Sequence, residues 1–306
     1  MNPTCGGGGA NGKRVVRWVA SVLGVSLVVI AIVAVARNAP TLDHLKLAVA
    51  HPDWRLILAG LVCALANIAA CGGLFHALVK RHGRVGLFEM QMLVVVSALL
   101  NYAPLRPGLV GRVAYQRLVG GITVRRSTLA LVEAAIICAA SIGWLALAAA
   151  VAGVWHERLL GGVMAAVPLL GALVMTTLTQ RPWMIYSEAI FWRWIDLLAW
   201  TGRYWCVFAL VGVDLDIESA AIAACVGSAA SLLPFVGNGL GVREWAIGLA
   251  GPALSRWPTD MGLAADLLNR AIDLVTVVPL GLLALPICVR RMRTALLAAD
   301  RAPDAK

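Results

Sequence analysis

The 306 residues predict an all-α polytopic membrane protein, with about six full transmembrane helices plus two re-entrant helical hairpins in an inverted-repeat arrangement. Three observations lead there. The chain is 60% hydrophobic and 14% charged, with a mean hydropathy of +0.83, whereas soluble domains carry about 25% charged residues. Apolar stretches near the ~20 residues needed to cross a ~30 Å hydrocarbon core follow one another with little between them. Two further apolar segments break at Pro/Gly clusters, and the placement of Lys and Arg decides their course. This balance excludes an ordinary soluble enzyme, and a disordered chain would need the opposite one.

Residues 1–12 are Gly-rich and carry no helical pattern. The first 14 residues are expected to form a disordered cytoplasmic tail, 15–290 the membrane domain, and 291–306 a basic cytoplasmic tail. Lys13, Arg14 and Arg17 precede the apolar run Trp18–Ala36. That run exceeds a signal peptide's usual 7–15 apolar residues or so, which favours a retained first span over a cleaved leader. Further full-length candidates are Trp54–Val79, Ser127–Gly153, Leu159–Leu178, Ala189–Val213 and Met261–Val289. One ambiguous segment begins near Phe88 and breaks at Asn101–Gly108. The other begins near Ser219 and breaks at Pro234–Gly241. Pro removes a backbone donor and Gly weakens a helix interior. Broken backbone at membrane depth persists only where protein or a watery cavity satisfies it.

Basic residues accumulate on the cytoplasmic side of membrane proteins, and the net charge of +10 is read in that light rather than as a nucleic-acid footprint. A full crossing at Phe88–Ala103 would put Arg106, Arg112, Arg117, Arg125 and Arg126 outside with no acid among them. If both segments instead dip in and return, fourteen of the 26 Lys and Arg residues lie in inner loops and five in outer loops. Both termini are then cytoplasmic. Each half crosses three times, so the halves are oppositely oriented and the hairpins enter from opposite faces. Many secondary transporters are built from inverted repeats whose broken helices meet near the midplane.

Two spans carry ionisable stripes. Arg193, Asp196, Trp200 and Arg203 share one helical face, as do Asp266, Asn269, Arg270 and Asp273. Asp273 lies roughly 18 Å along its helix from Met261, too deep for easy snorkelling. Glu133 is a lone acid in the third span. These groups either pair among themselves to hold helices together or form a polar path for a head group or coupling ion. The hairpins offer the better binding site. Half-helix N-termini favour anions, and glycines admit a bulky group close to the backbone. Arg106, Arg112 and Arg117 near the first break, and Arg243 near the second, can each give several donors to a phosphate. Glu244 is placed to hold Arg243 or to receive a cationic group.

Asn101-Tyr102-Ala103-Pro104-Leu105-Arg106-Pro107-Gly108-Leu109-Val110-Gly111-Arg112, together with Leu233-Pro234 and Gly239-Leu240-Gly241-Val242-Arg243-Glu244, resembles the two signature regions of the lysylphosphatidylglycerol synthase transmembrane family. That family is a flippase-like membrane domain also found as stand-alone proteins. The resemblance spans roughly residues 15–290 and is most specific at Gly-Val-Arg-Glu, Gly241 to Glu244. The chain departs from the family after the first hairpin, where Glu133 is followed by Ala134 and the span has no Asp. The resemblance implies movement of a lipid across the bacterial inner membrane, without an aminoacyl-transferring domain. The family's Pro-x-x-x-Gly…Arg element carries onto Pro104, Gly108 and Arg112, and its Gly-Val-Arg-Glu onto Gly241 to Glu244. With the residues read from the breaks themselves, the expected substrate-binding set is Pro104, Arg106, Gly108, Gly111, Arg112 and Arg117, and Pro234, Gly237, Gly239, Gly241, Arg243 and Glu244. Relatives are linked to aminoacylated phosphatidylglycerol, and some to hopanoid pathways.

The expected function is therefore a lipid flippase or transporter of the bacterial cytoplasmic membrane. It would move a phosphate-bearing phospholipid, aminoacyl-phospholipid or polyprenyl-type lipid, with an anionic head group, between leaflets. The alternative is a scaffold or accessory protein for a lipid-modifying enzyme; a head-group enzyme comes third. No Ser/His/Asp arrangement, clustered metal ligands or paired catalytic carboxylates with a nearby His point to catalysis. Six of the seven cysteines lie in apolar runs and no two have CxxC spacing, so no metal and no cofactor is expected.

Overall fold

The computed structural model describes residues 26, 28–37, 53–102, 107–154, 158–178, 183–232 and 239–300. Among these, all regular structure is helical. The helices are α1 (Val28–Arg37), α2 (Trp54–Val79), α3 (Leu87–Leu100), α4 (Pro107–Leu118), α5 (Val124–Val154), α6 (Arg158–Leu178), α7 (Trp183–Leu210), α8 (Ile217–Leu232), α9 (Val242–Ala253) and α10 (Thr259–Asp300). Four of them, α2, α5, α6 and α10, are long and apolar enough to cross a membrane. The chain is thus a helical membrane protein by architecture. Of the expected first span Trp18–Ala36, residues 18–25 and 27 lie outside the described residues, and the rest forms α1 apart from residue 26. The expected fifth span is present as the 28-residue α7, whose Glu188, Arg193, Asp196 and Arg203 make it too charged to count as purely apolar.

Local chemistry sets several boundaries. The Asp53 side chain accepts the Arg55 amide at 2.9 Å and caps α2. α7 begins at Trp183, six residues before the expected Ala189, and its first turns carry Glu188, which ion-pairs with Lys80 at the end of α2. α10 continues past the expected Val289 to Asp300.

α3 and α4 form one helical hairpin, α8 and α9 another. With 14 and 12 residues, α3 and α4 are only about 21 and 18 Å long. Their contacts run antiparallel. The Tyr115 hydroxyl donates to Glu89, Arg112 reaches Ser97, and Gly108 lies on the Ser97 carbonyl. A Cβ at Gly108 would sit 2.1 Å from that carbonyl oxygen, so only glycine lets the two helices approach this closely. In the second hairpin Gly239 packs on Ala230, and at the other end Arg256 donates to Asp216 at 3.2 Å and to Ser219 at 3.1 Å. Gly241, which precedes α9, has φ +79°, a left-handed conformation that L side chains rarely adopt.

The bundle has two distinct ends. At one end Arg81 pairs with Glu133 and donates to Tyr186 at 3.0 Å, and Arg291 donates to Glu89 at 2.9 Å. Both ends of the first hairpin lie here. At the other end Arg158 meets Glu218 at 3.5 Å and Arg256 meets Asp216, and both ends of the second hairpin lie there. The outer ends of the two helix pairs therefore lie at opposite ends of the bundle. α7 is packed against α2, α6, α8 and α10 and is largely buried. α6 turns most of its apolar surface outward.

Candidate functional site

The site is assembled from three helices with polar faces turned inward. α7 supplies Arg193, Asp196, Trp200, Arg203 and Tyr204, α9 supplies Arg243 and Glu244, and α10 supplies Asp266, Asn269, Arg270 and Asp273. The helical period puts the α7 and α10 sets each on one face, whereas Arg243 and Glu244 are successive residues whose side chains diverge toward different partners.

Arg243 is only 2% exposed. Its Nε donates to Asp266 at 2.9 Å and one Nη to Asp273 at 3.2 Å. Asp273 also accepts from Arg203. Asp266 is fully buried and accepts from the Tyr204 hydroxyl at 2.7 Å and the Asn269 amide at 3.0 Å. Arg270 donates to the buried Glu244 at 2.5 Å. Arg203 and Arg243 also lie over the Trp200 ring, at 4.3 and 5.5 Å from its centroid. Three guanidiniums thus face three carboxylates. A second cluster joins Asp196 to Arg193 and to Asn67 of α2.

Of the two roles expected of Glu244, holding its neighbour Arg243 is not the one found: Glu244 pairs with Arg270 of α10. The charged stripes pair with one another, Asp273 with Arg203 of α7, and both Asp266 and Asp273 with Arg243 of α9, while Asn269 donates to Asp266 within α10. The inward faces of the three helices meet, so each buried carboxylate finds a guanidinium on a neighbouring helix.

A cavity of about 160 Å³ opens beside this network. Val94, Ala98 and Tyr102 of the first hairpin and Ser231 and Arg243 of the second line it, with Asn67, Trp200, Asp273 and Thr276. Residues of both helix pairs therefore line one space. Several buried donors near it lack an acceptor among the described residues: Nε and one Nη of Arg203, and one Nη of Arg243. Buried polar groups are ordinarily satisfied.

Arg112 lies in the first hairpin, 6% exposed. Its Nε contacts the Ser97 hydroxyl at 3.4 Å and its guanidinium stacks 4.1 Å from the Phe75 centroid. Among the described residues it has no carboxylate partner. Arg117 does not join it. It is exposed and lines an outward groove of about 580 Å³ with Leu109, Val113, Leu118, Val124 and Leu131. Glu133 also stands apart, paired with Arg81 and Tyr186 at the bundle end rather than on a polar path. Gly111 contacts little: a Cβ there would come no closer than 4.0 Å to Leu100. Pro104, Arg106, Pro234 and Gly237 lie outside the described residues.

Sequence reasoning missed Asn67, Tyr204, Ser231 and Thr276. Asn67 had a signal, as an amide inside the apolar run Trp54–Val79; Tyr204 continues the α7 stripe one position beyond Arg203. Ser231 and Thr276 had none, since small hydroxyls are common in membrane helices.

Comparison with known proteins adds no name to this geometry: no family model, curated protein or solved structure matches the chain.

Proposed function

We propose that the protein is a lipid flippase or transporter of the bacterial inner membrane, with six full spans, two re-entrant hairpins and both termini in the cytoplasm. On this reading a phosphate-bearing head group occupies the cavity between the hairpin tips while the acyl tails stay in the bilayer. One observation carries it. A single cavity is lined by Tyr102 from one hairpin and Arg243 from the other, and the Arg243 guanidinium is buried with one nitrogen that has no acceptor among the described residues. Guanidinium donors suit phosphate oxygens, and a desolvated site makes those bonds strong. Arg112, buried and without a carboxylate partner among the described residues, places a cation on the first hairpin outside the cavity lining. The motif likeness to the lysylphosphatidylglycerol synthase transmembrane family supports the same reading, as does the placement of the two helix pairs' outer ends at opposite ends of the bundle, the arrangement of alternating-access transporters.

The rival is a non-transporting accessory of a lipid-modifying enzyme. The balance of Arg203, Arg243 and Arg270 against Glu244, Asp266 and Asp273 favours it, since paired charges alone can hold helices together. Reconstitution in liposomes with fluorescent phospholipids separates the two. Transport predicts head-group movement that falls at least about tenfold in Arg112→Ala and Arg243→Lys, as expected when a charge-assisted hydrogen bond is lost. Unchanged rates in both variants, with a stable partner in pull-down, would establish the accessory role.

A further inference from the structure

Asp273 occupies an unusual position at the cavity wall. One of its oxygens accepts from Arg203 and the other from Arg243, so the carboxylate bridges a fixed bundle helix and the second hairpin. Its side chain is 16% exposed, while those of the two arginines behind it are 1% and 3% exposed. Among the described residues the bridge leaves three nitrogen donors of the two guanidiniums without acceptors. A phosphodiester, like a carboxylate, has two charged oxygens, and presents them from a tetrahedral phosphorus to the same pair of guanidiniums.

Charge balance then restricts what can enter. The network at the cavity is neutral, Arg203, Arg243 and Arg270 against Glu244, Asp266 and Asp273, and the Arg112 cation, stacked on Phe75, does not line the cavity. A phosphate arriving alone would leave one negative charge uncompensated in a desolvated site, and would strand Asp273 as well. A head group that brings its own cation avoids both penalties. The space of about 160 Å³ equals the liquid volume of roughly five waters, which suits a phosphate with a short amine arm.

We infer that this cavity takes a zwitterionic lipid head group, its phosphate seated on Arg203 and Arg243 in place of the Asp273 carboxylate, and its ammonium held by that displaced carboxylate. This rests on the reading of the cavity as a head-group site, and replaces the net anionic ligand expected from the sequence with one of no net charge.

The probes are phosphatidylethanolamine and phosphatidylglycerol, which share the phosphodiester and differ in the ammonium. The purified full-length protein is placed in nanodiscs with equal amounts of the two, and retained lipid is measured by native mass spectrometry. The wild type retains phosphatidylethanolamine over phosphatidylglycerol by about tenfold, the worth of one charge-assisted contact. Asp273→Asn loses that preference and Asp273→Glu keeps it. Equal retention by the wild type overturns the inference and does so without any variant having to fold. A preference that survives in Asp273→Asn overturns it too. The same lipids are followed for transbilayer movement in liposomes. Selective retention without movement removes the flippase reading and leaves the head-group assignment standing; movement of both lipids without selective retention does the reverse.

Discussion

Arg243 sits where a cation is most costly and is held there by Asp266 and Asp273. Removing one partner of a buried pair leaves the other uncompensated, at about 3–5 kcal/mol. Asp266→Ala is therefore expected to lower the melting temperature in detergent sharply, and more than Asp273→Ala, because Asp266 also anchors Tyr204 and Asn269. Equal shifts would contradict that ranking. A second contrast concerns two glycines of one helix. Gly108→Ala pushes a methyl into the Ser97 carbonyl and should cost about 1–3 kcal/mol by overpacking, whereas Gly111→Ala meets nothing closer than 4.0 Å and should be neutral or mildly stabilising. Thermal unfolding of the pair checks both. At this scale the sequence identified the charged residues but not their mates. Helical spacing reveals which side chains share a face; it says nothing of which face meets which, and so the pairing of Glu244 with Arg270 is not legible in the sequence.

Helix by helix, legibility followed apolar length. Trp54–Val79 is found at its expected bounds because Asp53 caps one end and Lys80 and Arg81 close the other. The start of α7 is less legible, because a charge inside a bundle-end ion pair looks, in one dimension, like a charge in water. The turn between α2 and α3 offers a test of local electrostatics. Burial, then the neighbouring Arg81 and Arg126, hold the His82 imidazole below its usual value of 6.5. The unfolded chain thus takes up this proton more readily than the folded one. The neutral residue's contribution is fully present above pH 6.5 and declines as pH falls through and below that value. His82→Gln should flatten this part of the stability–pH curve. A curve of unchanged slope between pH 7 and 5 would show that His82 is not its source.

For the molecule as a whole, the two ends of the bundle make a prediction about sidedness. Single cysteines at Arg84 and Arg126 should react with an impermeant maleimide from one side only, and cysteines at Arg55 and Arg158 from the other. Labelling of position 126 together with 158 from one side would dismantle the opposed-hairpin arrangement. The sequence conveyed the helical class and both breaks because hydrophobic length and Pro/Gly interruptions are local signals. The meeting of the two helix pairs at one cavity depends on tertiary packing among α2, α7 and α10, which no local pattern encodes.

α10 is 42 residues, roughly 63 Å of continuous helix, and it grips both hairpins. Near its start Asp266 and Asp273 hold Arg243; further along Gly281 lies against Leu99, and Arg291 reaches Glu89. Pro279 and Pro286 fall between the outermost grips, and each deletes one bond of the helical ladder. A displacement of either hairpin along this rod has a direct route to the other, and Pro279→Ala with Pro286→Ala, by restoring the missing ladder bonds, should stiffen that route.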